Sequence, residues 1–174
     1  EDFAGIDTRS FIASEYENRP IVLADDILHI FISQSGETAD SIACLKQIKE
    51  RGGKTFGVVN VAGSSIARMT DSGLFTRAGT EIGVASTKAF VAQSICLLLL
   101  SLFLGKKRGM RISRYNHILQ ELQSLPSKID EVLIQSDHIR QIANQLKESK
   151  SMFFLGRGGH VPIAYESALK LKEI

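Results

Sequence analysis

At 174 residues, with 44% hydrophobic and 23% charged residues, the chain has the composition of a folded domain, not of a disordered or fibrous protein. Its formal net charge of +2 supplies no basic stripe for nucleic acid or for an anionic membrane surface. The two cysteines, Cys44 and Cys96, exclude a disulfide framework and fit reduced thiols in the cytoplasm.

In chain order, residues 11–13 (FIA) read as a short strand and residues 27–32 (ILHIFI) as a clearer one. The stretch 38–51 carries a helical apolar stripe that Gly52-Gly53 stops. A β-branched run at 55–61 predicts a strand buried on both faces, followed by a short helix at 64–69 and a strand at 73–77. This alternation with short links predicts a parallel sheet covered by helices. Residues 87–104 form a long apolar helix, expected to be central. Its apolar part, 89–104, holds Gln93, Ser94 and Ser101 and is shorter than the ~20 residues that cross a bilayer. Lys106-Lys107-Arg108 suits the solvated end of that helix. Further helices are predicted at 113–125 and 127–147, separated by Pro126. A strand at 151–155, a glycine loop at 156–160 and a helix from 162 onward then open what reads as a second α/β unit.

Three segments could carry chemistry. Residues 33–38, SQSGET, lie where a strand enters a helix, and free backbone N–H groups with the helix dipole favour an anion there. Ser33, Ser35 and Thr38 add hydroxyl donors, but the lysine of a nucleotide P-loop is absent. On local pattern, Ser35 is equally an N-cap. In residues 81–88, EIGVASTK, Ser86 reads first as an N-cap of the long helix. Glu166, Lys170 and Glu173 share one helical face, which on spacing alone is a ladder of surface ion pairs. A carboxylate beside an ammonium can also move protons next to a carbonyl. His29, His117, His138 and His160 show no ligand spacing, so no metal is expected.

The blocks SQSGETADSI (33–42), VNVAGSSIAR (59–68), EIGVASTKAF (81–90), GRGG (156–159) and ESALKLKEI (166–174) occur in one order. Together they resemble the isomerase half of the glutamine:fructose-6-phosphate amidotransferases, which is built of two sugar-isomerase (SIS) domains. The resemblance implies an α/β fold of SIS type, a three-layer αβα arrangement around a flavodoxin-like parallel sheet. It also implies a first SIS domain over 1–125, a linking helix over 126–148 and the start of a second SIS domain over 149–174.

By the same resemblance, Ser33, Gln34, Ser35 and Thr38 hold the phosphate of fructose 6-phosphate, and Val84 and Ser86 meet the sugar. Lys170 assists ring opening, and Glu173 shuttles a proton between C1 and C2 on the way to glucosamine 6-phosphate. The implied cofactor is none. The implied partners are a glutaminase domain and a second subunit, with no nucleic acid and no membrane. Thr80 and His160-Val161 depart from the family's usual residues. The chain begins with Glu1 where the family's glutaminase half has a nucleophilic cysteine. The first strand of one SIS domain and most of the other are expected to lie outside it, so these residues alone are not expected to turn over.

Overall fold

The apolar runs predicted as strands pair side by side in one parallel sheet. A computed structural model describes every residue except Glu17, Val84 and Ile174. The chain forms two units, Glu1–Gly105 and Lys106–Ile174. In the first, β1 (Leu28–Ser33), β2 (Lys54–Val59) and β3 (Ser72–Phe75) lie in that order. β1 and β2 pair from Leu28 opposite Lys54 to Ser33 opposite Val59, and β2 carries the register on to Val59 opposite Phe75. Parallel neighbours need crossovers, supplied here by α2 (Ala39–Glu50) and α3 (Ser65–Met69). Because Ser33, Val59 and Phe75 share one register line, all three strands deliver their following loops to the same carboxyl edge.

The core lies on one face of the sheet. Ser41, Cys44, Leu45 and Ile48 are the buried residues of α2, the i, i+3, i+4, i+7 stripe of an amphipathic helix. Cys44, Leu45 and Ile48 cluster with Phe31, Val59 and Ile66. Full burial of Leu45 or Ile48 is worth about 1.5–3 kcal/mol each. The helix ends in a Schellman motif: Gly52, at φ +77°, donates to Lys49 O, and Gly53 donates to Ile48 O. β2 is buried on both faces as expected, with Val58 and Val59 both closed to solvent. β1 is not: Leu28, Ile30 and Ile32 are open on the face away from the core.

Several expectations need correction. Residues 11–13 form no strand; Ala13 opens the one-turn helix α1 (Ala13–Tyr16). The Phe11 ring lies 4.9 Å from that of Tyr16, tilted at 45°, and the Arg19 guanidinium sits over the Phe11 ring, 5.6 Å from its centroid. The apolar residues thus serve a local cluster that packs with α2. The long helix, α4 (Lys88–Lys107), has 20 residues and is not shorter than a bilayer span; by length and composition alone it could cross a membrane. Nor is it central, because only Ala89, Leu102 and Gly105 are buried and Phe103 is 57% exposed.

In the second unit, Pro126 opens a helix rather than only ending one. α5 (Ile112–Gln123) gives way at Ser124 to α6 (Leu125–Leu133), which has Pro126 in its first turn, where its missing N–H costs nothing. The single helix expected over 127–147 breaks at Ile134-Gln135, and α7 (Ser136–Leu146) follows. The Ser136 hydroxyl donates to Leu133 O at the break, the local competition by which serine unsettles a helix. Residues 151–155 form no strand: no other strand among the described residues of this unit offers a ladder, and Phe153 and Leu155 stand exposed. A turn of 3₁₀ helix at Gly158–His160 leads into α8 (Val161–Glu173).

Candidate functional site: the loops at the carboxyl edge of the sheet

The SQSGET loop folds back on its own hydroxyls. Ser33, only 6% exposed at the end of β1, accepts the Gly36 N–H at 3.0 Å and shares a 2.9 Å hydrogen bond with the Thr38 hydroxyl. Ser35 accepts the Glu37 N–H at 3.1 Å, a short serine turn instead of a helix cap. Gly36 makes the reversal possible at φ +68°. Thr38 is the N-cap residue of α2, yet its side chain makes no cap bond because Ser33 engages it. The first-turn N–H groups of α2 are therefore left without a side-chain cap, facing a loop rich in hydroxyls.

The proton count favours an acceptor ligand. Ser33 and Thr38 together carry two hydroxyl protons, and their mutual bond uses one. The Ser35 hydroxyl accepts from Glu37 and keeps its own proton to donate. Neutral donors, an uncapped helix N-terminus and a left-handed glycine make a cradle for a small anion.

The loop after β2 clamps this cradle from beside it. Ile66 donates to Gly36 O at 3.0 Å, Asn60 donates to Gln34 O at 3.3 Å, and Ser65 donates to Glu37 Oε1 at 2.7 Å. Ser64 is 2% exposed, and its hydroxyl lies against Gly36 with no hydrogen-bond partner. Asn60 also braces the loop after β3. Its Oδ1 accepts from the Thr76 hydroxyl (3.0 Å) and the Ala78 N–H (2.8 Å), and its Nδ2 donates to Gly79 O (2.7 Å). Between these bonds Arg77 is held at φ +52°, a conformation uncommon outside glycine.

Ser86 does not cap α4. The helix begins two residues later, and the acceptor for its Ala89 N–H (3.3 Å) is Glu81, whose Oε2 also takes the Ser86 hydroxyl at 3.1 Å. The structure thus gathers Ser33, Gln34, Ser35 and Thr38 into one loop and sets Ser86 in another loop of the same unit. Val84 lies outside the described residues. Lys170 and Glu173 belong to the second unit. There Lys170 pairs with Glu166 at 2.7 Å, the i,i+4 rung expected from spacing, and Glu173 is the exposed last residue of α8. Glu37, Asn60, Ser64 and Glu81 were not singled out by sequence pattern. An acidic residue inside each glycine-bearing loop was the available signal for Glu37 and Glu81. Among the described residues, no group of three or more His, Cys, Asp or Glu could hold a metal ion.

A parallel sheet with a hydroxyl-lined loop entering a helix at its carboxyl edge defines an α/β domain of the kind whose ligands collect at that edge. The SIS domain model matches residues 9–102, and the chain belongs to the SIS domain family. It is 48% identical over 175 residues to the glutamine–fructose-6-phosphate aminotransferase (isomerizing) of Chlorobaculum tepidum, covering all of this chain and 28% of that protein. The enzyme of the same name from Bartonella quintana is 46% identical, again over the whole chain and 29% of its own length. The C-terminal domain of glucosamine-fructose-6-phosphate aminotransferase from Francisella tularensis superposes with a TM-score of 0.94. It shares 37% identity over 99% of this chain and 49% of that one. The chain therefore spans under a third of the curated relatives it matches, and the SIS resemblance read from its motifs holds.

Proposed function

We propose that this chain is the sugar-phosphate-binding part of a glutamine–fructose-6-phosphate aminotransferase. The observation that carries the reading is identity of 48% and 46% over the whole chain to proteins of that name.

Fructose 6-phosphate would place its phosphate on the Ser33, Ser35 and Thr38 hydroxyls and the α2 N-terminus, with Gln34 beside them and Val84 and Ser86 toward the sugar. Lys170 assists ring opening. Ammonia released from glutamine by a glutaminase domain condenses with the C2 carbonyl and water leaves. Glu173 then removes a proton from C1 and a proton is delivered to C2, leaving the C1 aldehyde and C2 amine of glucosamine 6-phosphate. The carbonyl or imine acidifies that proton, so no cofactor is needed. The first SIS domain is proposed over 1–125, the link over 126–148 and the opening of the second over 149–174. A homodimer in the cytoplasm completes the reading.

The test is glutamine-dependent formation of glucosamine 6-phosphate by the full-length protein. Glu173→Gln is expected to lower kcat by about 10²–10⁴-fold while fructose 6-phosphate binding stays within about threefold. Wild-type protein that neither binds fructose 6-phosphate nor forms product would end this reading.

A further inference from the structure

Glu37 is the one charged residue in a loop otherwise made of neutral donors. A carboxylate turned toward the α2 N-terminus would compete with an anion for the same amides and repel it. Instead its Oε1 accepts the Ser65 N–H at the start of α3, at 2.7 Å. Hydrogen bonding to Ser65 holds the Glu37 carboxyl below the usual carboxylate range, helped by the charge of Arg68 and opposed by desolvation.

The same two loops meet at the Gly36 carbonyl, at the Gln34 carbonyl and where Gly36 lies against Ser64. Those ties are neutral, and the last leaves the buried Ser64 hydroxyl without a partner. The bond from Glu37 is charge-assisted, the strong kind. It also joins residues 28 positions apart, so it acts on how the loops dock and not on the shape of a single turn.

We propose that Glu37 is a positioning residue. By binding the first amide of α3 it holds residues 33–38 in the shape that presents their donors, and it keeps its own charge off the anion site without touching the ligand. This rests on the reading of the loop as a sugar-phosphate site.

The test compares Glu37→Gln and Glu37→Ala in the full-length protein by calorimetric titration with fructose 6-phosphate. Hydrogen–deuterium exchange of peptides covering 33–42 and 60–68 is followed without ligand. Gln keeps an oxygen acceptor for the Ser65 amide; Ala does not. The expected result is faster exchange in both peptides and about tenfold weaker binding for Glu37→Ala, with both restored by Glu37→Gln. Unchanged exchange or unchanged affinity in Glu37→Ala overturns the proposal. Tighter binding by both variants also overturns it, since the carboxylate would then be facing the anion. If the wild type binds no fructose 6-phosphate, the sugar-phosphate reading fails, and the exchange comparison still decides whether Glu37 holds the loop.

Discussion

The Ser33 and Thr38 hydroxyls lie 2.9 Å apart, and Ser33 Oγ also accepts the Gly36 N–H, so one buried side chain joins the end of β1 to the N-cap of α2. The two partners are not equivalent. Ser33 satisfies a buried amide, whereas Thr38 is exposed and caps nothing with its side chain.

Ser33→Ala is therefore expected to cost about 1–3 kcal/mol in urea unfolding, the penalty of leaving the Gly36 N–H unpaired, and to weaken fructose 6-phosphate binding. Thr38→Val, which removes a hydroxyl but keeps the branched shape, should stay within about 0.5 kcal/mol of wild type in stability. Its binding should still fall. Equal stability losses in the two variants would contradict this division of roles.

Gly36 is constrained twice. A β-carbon there would sit 2.1 Å from Ser64 Oγ and 2.5 Å from Ser64 Cβ, and its φ of +68° disfavours any L side chain. Gly36→Ala is expected to destabilise by about 1–3 kcal/mol or more. Adding Ser64→Gly removes the clash but not the backbone strain, so the double variant should recover part of the loss. Thermal or urea unfolding of the four proteins in the cycle measures the coupling.

At the amino end of the strands, Asp71 accepts from the Lys49 ammonium, from Thr55 Oγ1 at 2.7 Å and from the Thr55 N–H at 2.9 Å. The Lys49 hydrogen bond first, then those of Thr55, lower its pKa from 3.8 to about 2. A folded-state value below the unfolded one contributes stability that is present above pH 3.8 and lost as pH falls toward 2. Urea midpoints between pH 5 and 2 should therefore fall less steeply for Asp71→Asn than for wild type. Glu37 and Glu121 are shifted the same way, so some acid dependence should remain in that variant.

Much of the fold was legible because it depends on local pattern. The α2 stripe, the Gly52-Gly53 stop and the β-branched run of β2 each state their geometry within a dozen residues. Where pattern failed, a partner distant in sequence or a local side-chain bond decided the outcome. Residues 151–155 have strand composition, but strands are made by neighbours. Ser35 reads equally as a cap or an anion donor and Ser86 first as a cap, yet the one closes a turn and the other gives its hydroxyl to Glu81.

The sequence by itself determined the inventory: two serines, a glycine and a threonine between a strand and a helix, and the blocks that mark the SIS family. Tertiary structure alone decided which of those groups remain available. Ser33 serves Gly36 and Thr38, while Glu37 and Glu81 take amides in the first turns of α3 and α4. The first turn of α2 is left uncapped by any side chain. A hydrogen bond has a limited number of partners, and only the folded register of three strands settles who stands within reach.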